Sequence, residues 1–156
     1  MVAATYTSSV WLNVPKQTQI GNNTVSGTAK WTAAGSVGDI LLLCKVPNGA
    51  KIVDCYEYHT NGQTAAALSF GFDRGVADGG AGNASCLISS GAIATMNRMS
   101  LAASPNTGNT PVTISCSDLD PLHYVSFIAK AESGTMTITV AVSFSITYRV
   151  DGPDPV

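Results

Sequence analysis

Glu57 and His59 are the first residues whose types and spacing could do chemistry. They stand two apart in K-I-V-D-C-Y-E-Y-H-T (51–60), a stretch that reads as a β-strand, and side chains at i and i+2 leave a strand on one face. Such a pair could hold a metal ion or relay a proton. Far more often it marks a solvated sheet face, and that is the arrangement expected here. Asp73, Asp78 and Asn83, in the glycine-rich D-R-G-V-A-D-G-G-A-G-N, offer hard oxygen ligands of the kind calcium takes, but not at the spacing of a calcium loop. Asp118 and Asp120, in S-D-L-D-P, share one parity ahead of a proline. Paired carboxylates can do acid–base work or bind a cation, whereas an Asx-type turn closing the preceding strand accounts for them more simply. No nucleophile elbow, zinc-protease helix, phosphate loop or dinucleotide fingerprint occurs. The sequence predicts no catalytic residue, no metal site and no cofactor, and hence no enzyme.

The four cysteines, Cys44, Cys55, Cys86 and Cys116, show neither C-x-x-C spacing nor paired histidine ligands. Their even number allows disulfides. The start, M-V-A-A-T-Y-T-S-S-V, lacks the basic residues and continuous apolar core of a secretory signal, which favours free buried thiols made in a reducing cytoplasm. By the same argument the sequons at Asn22 and Asn83 carry no glycosylation signal. Tyr6, Trp11, Trp31, Tyr56 and Tyr58 could stack on sugars if one face exposed them; packing in a core or interface is the alternative.

The elements that must position these residues are strands. The stretch Thr135 to Val150, T-M-T-I-T-V-A-V-S-F-S-I-T-Y-R-V, puts Met136, Ile138, Val140, Val142, Phe144, Ile146, Tyr148 and Val150 on one parity. Thr137, Thr139, Ala141, Ser143, Ser145, Thr147 and Arg149 occupy the other. Strict alternation fits a half-buried strand and no helical period. At about 3.3 Å per residue it would run roughly 50 Å, so a bend is expected, with Ala141 to Ser145 its place. The second face carries small hydroxyls instead of Lys and Glu, which suits cover by another protein surface. Thr139, Ser143 and Ser145 are therefore contact candidates.

Residues 1–30 read as an extended N-terminal arm with hydrophobic anchors, of which Tyr6, Trp11, Leu12 and Val14 are further contact candidates. The alternative is a short edge strand over 10–14. Residues 31–152 form one β-sandwich domain and 153–156 a solvated tail. Ile40 to Val46 has apolar residues on both parities, as a strand buried on both faces would. Pro47-Asn48-Gly49 and Asn61-Gly62 are turns. Thr64 to Phe72, Pro111 to Cys116 and Leu122 to Ala131 are further strands. Asp73 to Asn83 reads as a loop, and Ala84 to Leu101 as the least regular part, with a weak amphipathic-helix pattern. Short strands joined by Gly, Pro and Asn turns make this an all-β, antiparallel, jelly-roll-like β-sandwich. Only 12% of its 156 residues are charged, against about 25% in an ordinary domain. A net charge of −2 with scattered Lys and Arg gives no basis for nucleic-acid binding, and no apolar run is long enough to span a membrane.

Two stretches resemble a pattern found in small structural proteins of tailed bacteriophages. One is G-D-I-L-L-L-C-K-V-P-N-G-A-K-I-V-D (38–54), followed by A-L-S-F-G-F-D at 67–73. The other is the closing strand with its Y-R-V-D-G end (148–152). The resemblance implies a capsid decoration or cement protein. Such a protein is a β-sandwich, often a homotrimer, that contacts the major capsid protein on the virion surface and braces the shell where capsomers meet. In that pattern Gly38, Asp39, Pro47, Gly49 and Ala50 belong to the frame linking two core strands and are structural. A head-fibre or tail-associated module binding host glycans is the alternative.

Overall fold

The computed structural model describes residues 4–13, 21–31, 35–59, 66–74, 81–92, 97–100, 112–113, 124–134 and 141–150. Among them there is no helix, and ten strands follow in order: β1 (Thr5–Thr7), β2 (Gly21–Lys30), β3 (Ile40–Pro47), β4 (Lys51–His59), β5 (Ala67–Arg74), β6 (Ala81–Ala92), β7 (Asn97–Ser100), β8 (Val112–Thr113), β9 (Tyr124–Ser133) and β10 (Ala141–Val150). One sheet, A, has the order β1-β3-β9-β5-β6; the other, B, has β2-β10-β4-β7, with β8 paired to β4.

The antiparallel pairs nest. β5 pairs with β6, β4 with β7, β3 with β9 and β2 with β10. The chain is thus one long hairpin, rolled so that successive pairs fall alternately in the two sheets. Lateral pairs β5–β9 and β4–β10 then stitch each sheet together. This is the jelly-roll-like sandwich expected from the alternating segments and turn residues.

Phe127 on β9 is the hinge of the packing between sheets. Its ring lies 6.3 Å from Phe70, 5.9 Å from Phe72 and, edge-on across the sandwich, 6.0 Å from Phe144 of β10. Around it Leu41, Leu43, Val46, Ile52, Leu68, Leu87, Val142, Ile146 and Tyr148 are buried. Turn chemistry is legible at two glycines. Gly49, at φ 84°, completes the Pro47 turn, in which Ala50 N–H donates to Pro47 O at 3.2 Å. Gly134, at φ 68°, follows β9.

Several expectations change. Within the first thirty residues the described strands belong to the sheets: β1 runs parallel to β3, and all ten residues of β2 pair with β10. Val10 to Asn13 is a turn closed by Asn13 N–H to Val10 O (3.0 Å), not an edge strand. The helix-like pattern over 84–101 gives way to β6 and β7, since Gly91 and the serines disfavour a helix while β5 and β4 supply ladders. The loop expected over 73–83 is shorter, with Asp73 and Arg74 still in β5 and β6 starting at Ala81. The final strand does not bend at 141–145; its pairing with β2 is continuous from Ala141 to Val150. Its stretch 135–140 lies outside the described residues.

Two register shifts decide which side chains face inward. On β3, Leu42 pairs with Ile128 and Cys44 with Phe127, so Leu43 is an extra residue. The buried neighbours Leu43 and Cys44 reflect this bulge rather than a strand covered on both faces. On β4, Cys55 pairs with Ile146, Asp54 with Thr147 and Ile52 with Tyr148, leaving Val53 unpaired. Ile52 and Cys55 therefore both point inward, although their parities differ, and every residue after the bulge is turned over relative to Ile52.

Candidate interaction surface

The bulge at Val53 overturns the expectation for Glu57 and His59. Both are 0% exposed, facing the core and not solvent. His59 Nδ1 lies 3.0 Å from Glu57 Oε1 and 3.2 Å from Oε2. Burial pushes the Glu57 carboxyl up to about 7, against the smaller opposing effects of the His59 charge and hydrogen bond. Among the described residues, no three His, Cys, Asp or Glu side chains gather as metal ligands would. Asp73 is likewise engaged, since its Oδ1 accepts the backbone N–H of Ser126 at 2.8 Å. Of its proposed calcium partners, Asn83 lies in β6 and Asp78 outside the described residues, as do Asp118 and Asp120. Cys44 and Cys55 are buried, and burial pushes the Cys44 thiol up, away from reactivity.

With no constellation for chemistry on the described residues, the surface is left, and the sandwich has two unlike outer faces. The outer face of sheet A is covered over its middle, although Asp73 on β5 is exposed. Its residues Ser69, Ser126 and Ile128 are at most 8% exposed, and Ile128 lies outside the main core cluster. Part of the cover is the N-terminal turn. Trp11 Nε1–H donates to Ser126 Oγ at 3.1 Å, and Lys45 Nζ stands 4.3 Å from the centre of the Trp11 ring. Ser8 ties the turn to the β3 bulge: its N–H donates to Leu42 O at 2.9 Å and its hydroxyl to Leu43 O. Upstream, Asp39 accepts the backbone N–H of Ala4 and of Ser36, each at 2.7 Å. The Gly38-Asp39 dipeptide is thus a clamp that fastens β1 beside β3, with Gly38 at φ 92°.

The outer face of sheet B is open. β2 presents Asn22, Thr24, Ser26, Thr28 and Lys30, all exposed. β10 adds Ser143, Thr147 and Arg149, and after its bulge β4 adds Tyr56 and Tyr58, 37% and 39% exposed. The hydroxyls bond one another across the strands: Thr24 to Thr147 at 2.9 Å and Thr28 to Ser143 at 3.0 Å. Covering paired hydroxyls costs far less desolvation than covering Lys or Glu.

The contact candidates therefore separate. Ser143 lies on this open face; Ser145, paired with Ser26 and Tyr56, shares the face but is 4% exposed. Tyr6 packs on buried Trp31, rings 6.4 Å apart, and Trp11 is held against sheet A, so neither is free for a partner. Leu12, 68% exposed at the tip of the anchored turn, is the most exposed of the large hydrophobics described. Val14 and Thr139 lie outside the described residues. The β2 row went unnoticed in the sequence because its inward partners, Gly21, Asn23, Val25, Gly27 and Ala29, make a weak apolar alternation.

No protein-family model and no curated protein matches the chain. Solved structures do. A chain of the capsid of Ralstonia phage GP4 matches with a TM-score of 0.63 at 15% identity, over 97% of this chain and 100% of that one. A chain of the cyanophage Pam1 capsid asymmetric unit matches with a TM-score of 0.57 at 15% identity, over 83% and 84%. The fold is one that phage capsids contain. It is this sandwich as a whole, and not a fragment of it, that the GP4 chain shares.

Proposed function

We propose that this chain is a non-enzymatic structural protein of a phage virion, which decorates the capsid surface and braces it by bridging capsomers. The observation that carries the proposal is the end-to-end likeness of its fold to a chain of the GP4 capsid. Its partners are the major capsid protein and further copies of itself, in a homotrimer. Sheet B supports this with a face of small hydroxyls and two exposed tyrosines, the kind of surface that loses little on burial. Leu12 supports it too, as an apolar side chain on a turn already fixed by Ser8 and Trp11, which reduces the ordering cost of a contact. Each contact is weak, and many copies on one shell multiply them. Comparing phage particles made with and without the gene tests the proposal. The chain is expected on the capsid by electron cryomicroscopy, and particles lacking it should lose infectivity at a lower temperature. Particles that never contain it, with unchanged heat tolerance, would overturn the reading.

A second reading is favoured by one observation, the paired exposure of Tyr56 and Tyr58 on an open sheet face. A head-fibre or tail-associated module could stack a host glycan there. A glycan array in which the wild-type chain binds and the Tyr56→Ser, Tyr58→Ser double variant does not would support it.

A further inference from the structure

Four of the described strands stand at the margins of the two sheets, and they are not equally guarded. An edge strand presents a row of backbone N–H and C=O groups without ladder partners, and proteins blunt such edges by keeping them short, bulging them or charging them. β1 has three residues and β7 four. β6 has twelve, but its pairing with β5 shifts register twice, between Leu68 and Phe70 and between Phe70 and Phe72. β2 has none of these guards. It runs ten residues and pairs with β10 in one unbroken register. It contains no proline, and its single charge, Lys30, comes at the very end. Among the described strands, none pairs with its other side.

The inward row of β2 shows that this margin is open to solvent. Val25 and Gly27 are only half-buried, whereas Ile146 and Phe144, their register partners on β10, are buried. We propose that β2 is a self-association edge, which pairs antiparallel with β2 of a second copy of this chain and joins two B sheets into one across a twofold axis.

The strand itself sets the register. Gly21, at φ 112°, departs from extended backbone, which leaves Asn22 to Lys30 as the regular run and Ser26 as its centre. Pairing about that centre puts every residue opposite one that shares its face, as an antiparallel ladder requires. On the outer face Ser26 meets Ser26 of the second copy, Thr24 meets Thr28, and Asn22 meets Lys30. This continues the cross-strand hydroxyl pairing that Thr24 makes with Thr147, and Thr28 with Ser143, inside one chain. On the inner face Val25 lies opposite Gly27, which brings no side chain of its own. The two Lys30 side chains fall at opposite ends of the ladder, roughly 26 Å apart at about 3.3 Å per residue, so no like charges face each other. A second copy is favoured over a foreign strand because β2 is its own complement, and because a strand uncharged before its last residue gives a charged partner nothing to select.

The pairing needs no capsid, so it is tested on the full chain alone, by sedimentation equilibrium of the wild type, Ser26→Lys and Ser26→Glu. Ser26 is exposed, and both variants are expected to melt as the wild type does. The wild type is expected to associate in twos, as dimers or as paired trimers. Each variant alone should dissociate about fivefold more readily, since like charges then meet at the axis, and an equimolar mixture of the two should recover the wild-type mass. A wild type that stays monomeric overturns the pairing, and so does a mixture no better associated than either variant. A trimer whose mass neither variant changes also overturns it, while leaving the virion reading standing. Should the variants not fold, hydrogen exchange of the wild type decides. Amides of alternate β2 residues from Thr24 to Lys30 that slow as the chain is concentrated support the pairing. Rates that do not depend on its concentration, or that slow only when a different protein is added, sink it.

Discussion

The two sheets are built from similar strands, yet their outer faces have opposite fates. On sheet A the polar residues are spent inside the molecule: Ser126 on Trp11 and Asp73, Ser69 on Glu132, Lys45 on the Trp11 ring. On sheet B the hydroxyls of Thr24 and Thr147, and of Thr28 and Ser143, bond sideways, strand to strand, and the β2 row stays exposed. The difference originates at the N-terminus. Residues 4–13 are clamped by Asp39 and Ser8 to the β3 side of the sandwich, so they cover A and not B. A face covered in part by the chain's own N-terminal turn has less to offer a partner than the hydroxyl face of sheet B. The contrast teaches where stability and where assembly should respond to mutation.

Breaking the clamp should have the largest effect on stability. Asp39→Ala leaves two backbone N–H groups without their acceptor and should cost about 3 kcal/mol in chemical denaturation. Asp39→Asn, which retains one acceptor oxygen, should cost roughly half of that. Next comes Trp11→Ala, which uncovers Ser126 and Lys45; the side chain is half-buried, so about 2 kcal/mol is expected, below the cost of a core aromatic. Gly27→Ala probes the seam between the N-terminal turn and sheet B. The new Cβ would meet Val10 Cγ2 at 2.5 Å and the Phe144 ring at 3.2 Å. Overpacking there should cost about 1–2 kcal/mol by the same measurement. The smallest stability change is expected on the open face: Ser143→Glu with Thr147→Glu should alter unfolding by roughly 0.5–1 kcal/mol. Yet that pair should sharply reduce the copies of the chain recovered with particles. If the clamp variants are stable and the charged face still assembles, the contrast between the two sheets is not the functional one.

Much of the fold was legible because strands announce themselves locally. Alternation marked β10, the turn at Pro47-Asn48-Gly49 marked the join of β3 and β4, and Ser143 on the hydroxyl face followed from parity alone. The candidate surface was legible only in part. Tyr6 and Trp11 have the composition of anchors, but what they anchor is their own N-terminal segment, and composition does not distinguish a partner from the same chain. The helix-like pattern over 84–101 misled because isolated apolar spacings are weak where small residues dominate, and pairing with β5 and β4 overrode them.

By itself the sequence determined the class of the protein: alternating apolar residues must find a covered side, Gly and Pro must turn, and a sandwich follows. It determined the inward row of β10, Val142, Phe144, Ile146 and Tyr148, since a strand paired without interruption against β2 keeps its parity. What only the tertiary structure decided is the side of β4 that carries Glu57 and His59. One unpaired residue, Val53, turns the rest of that strand over, burying two ionisable groups and exposing two tyrosines. A bulge belongs to the register between two strands, not to either strand's sequence, so it comes into being only when β4 meets β10.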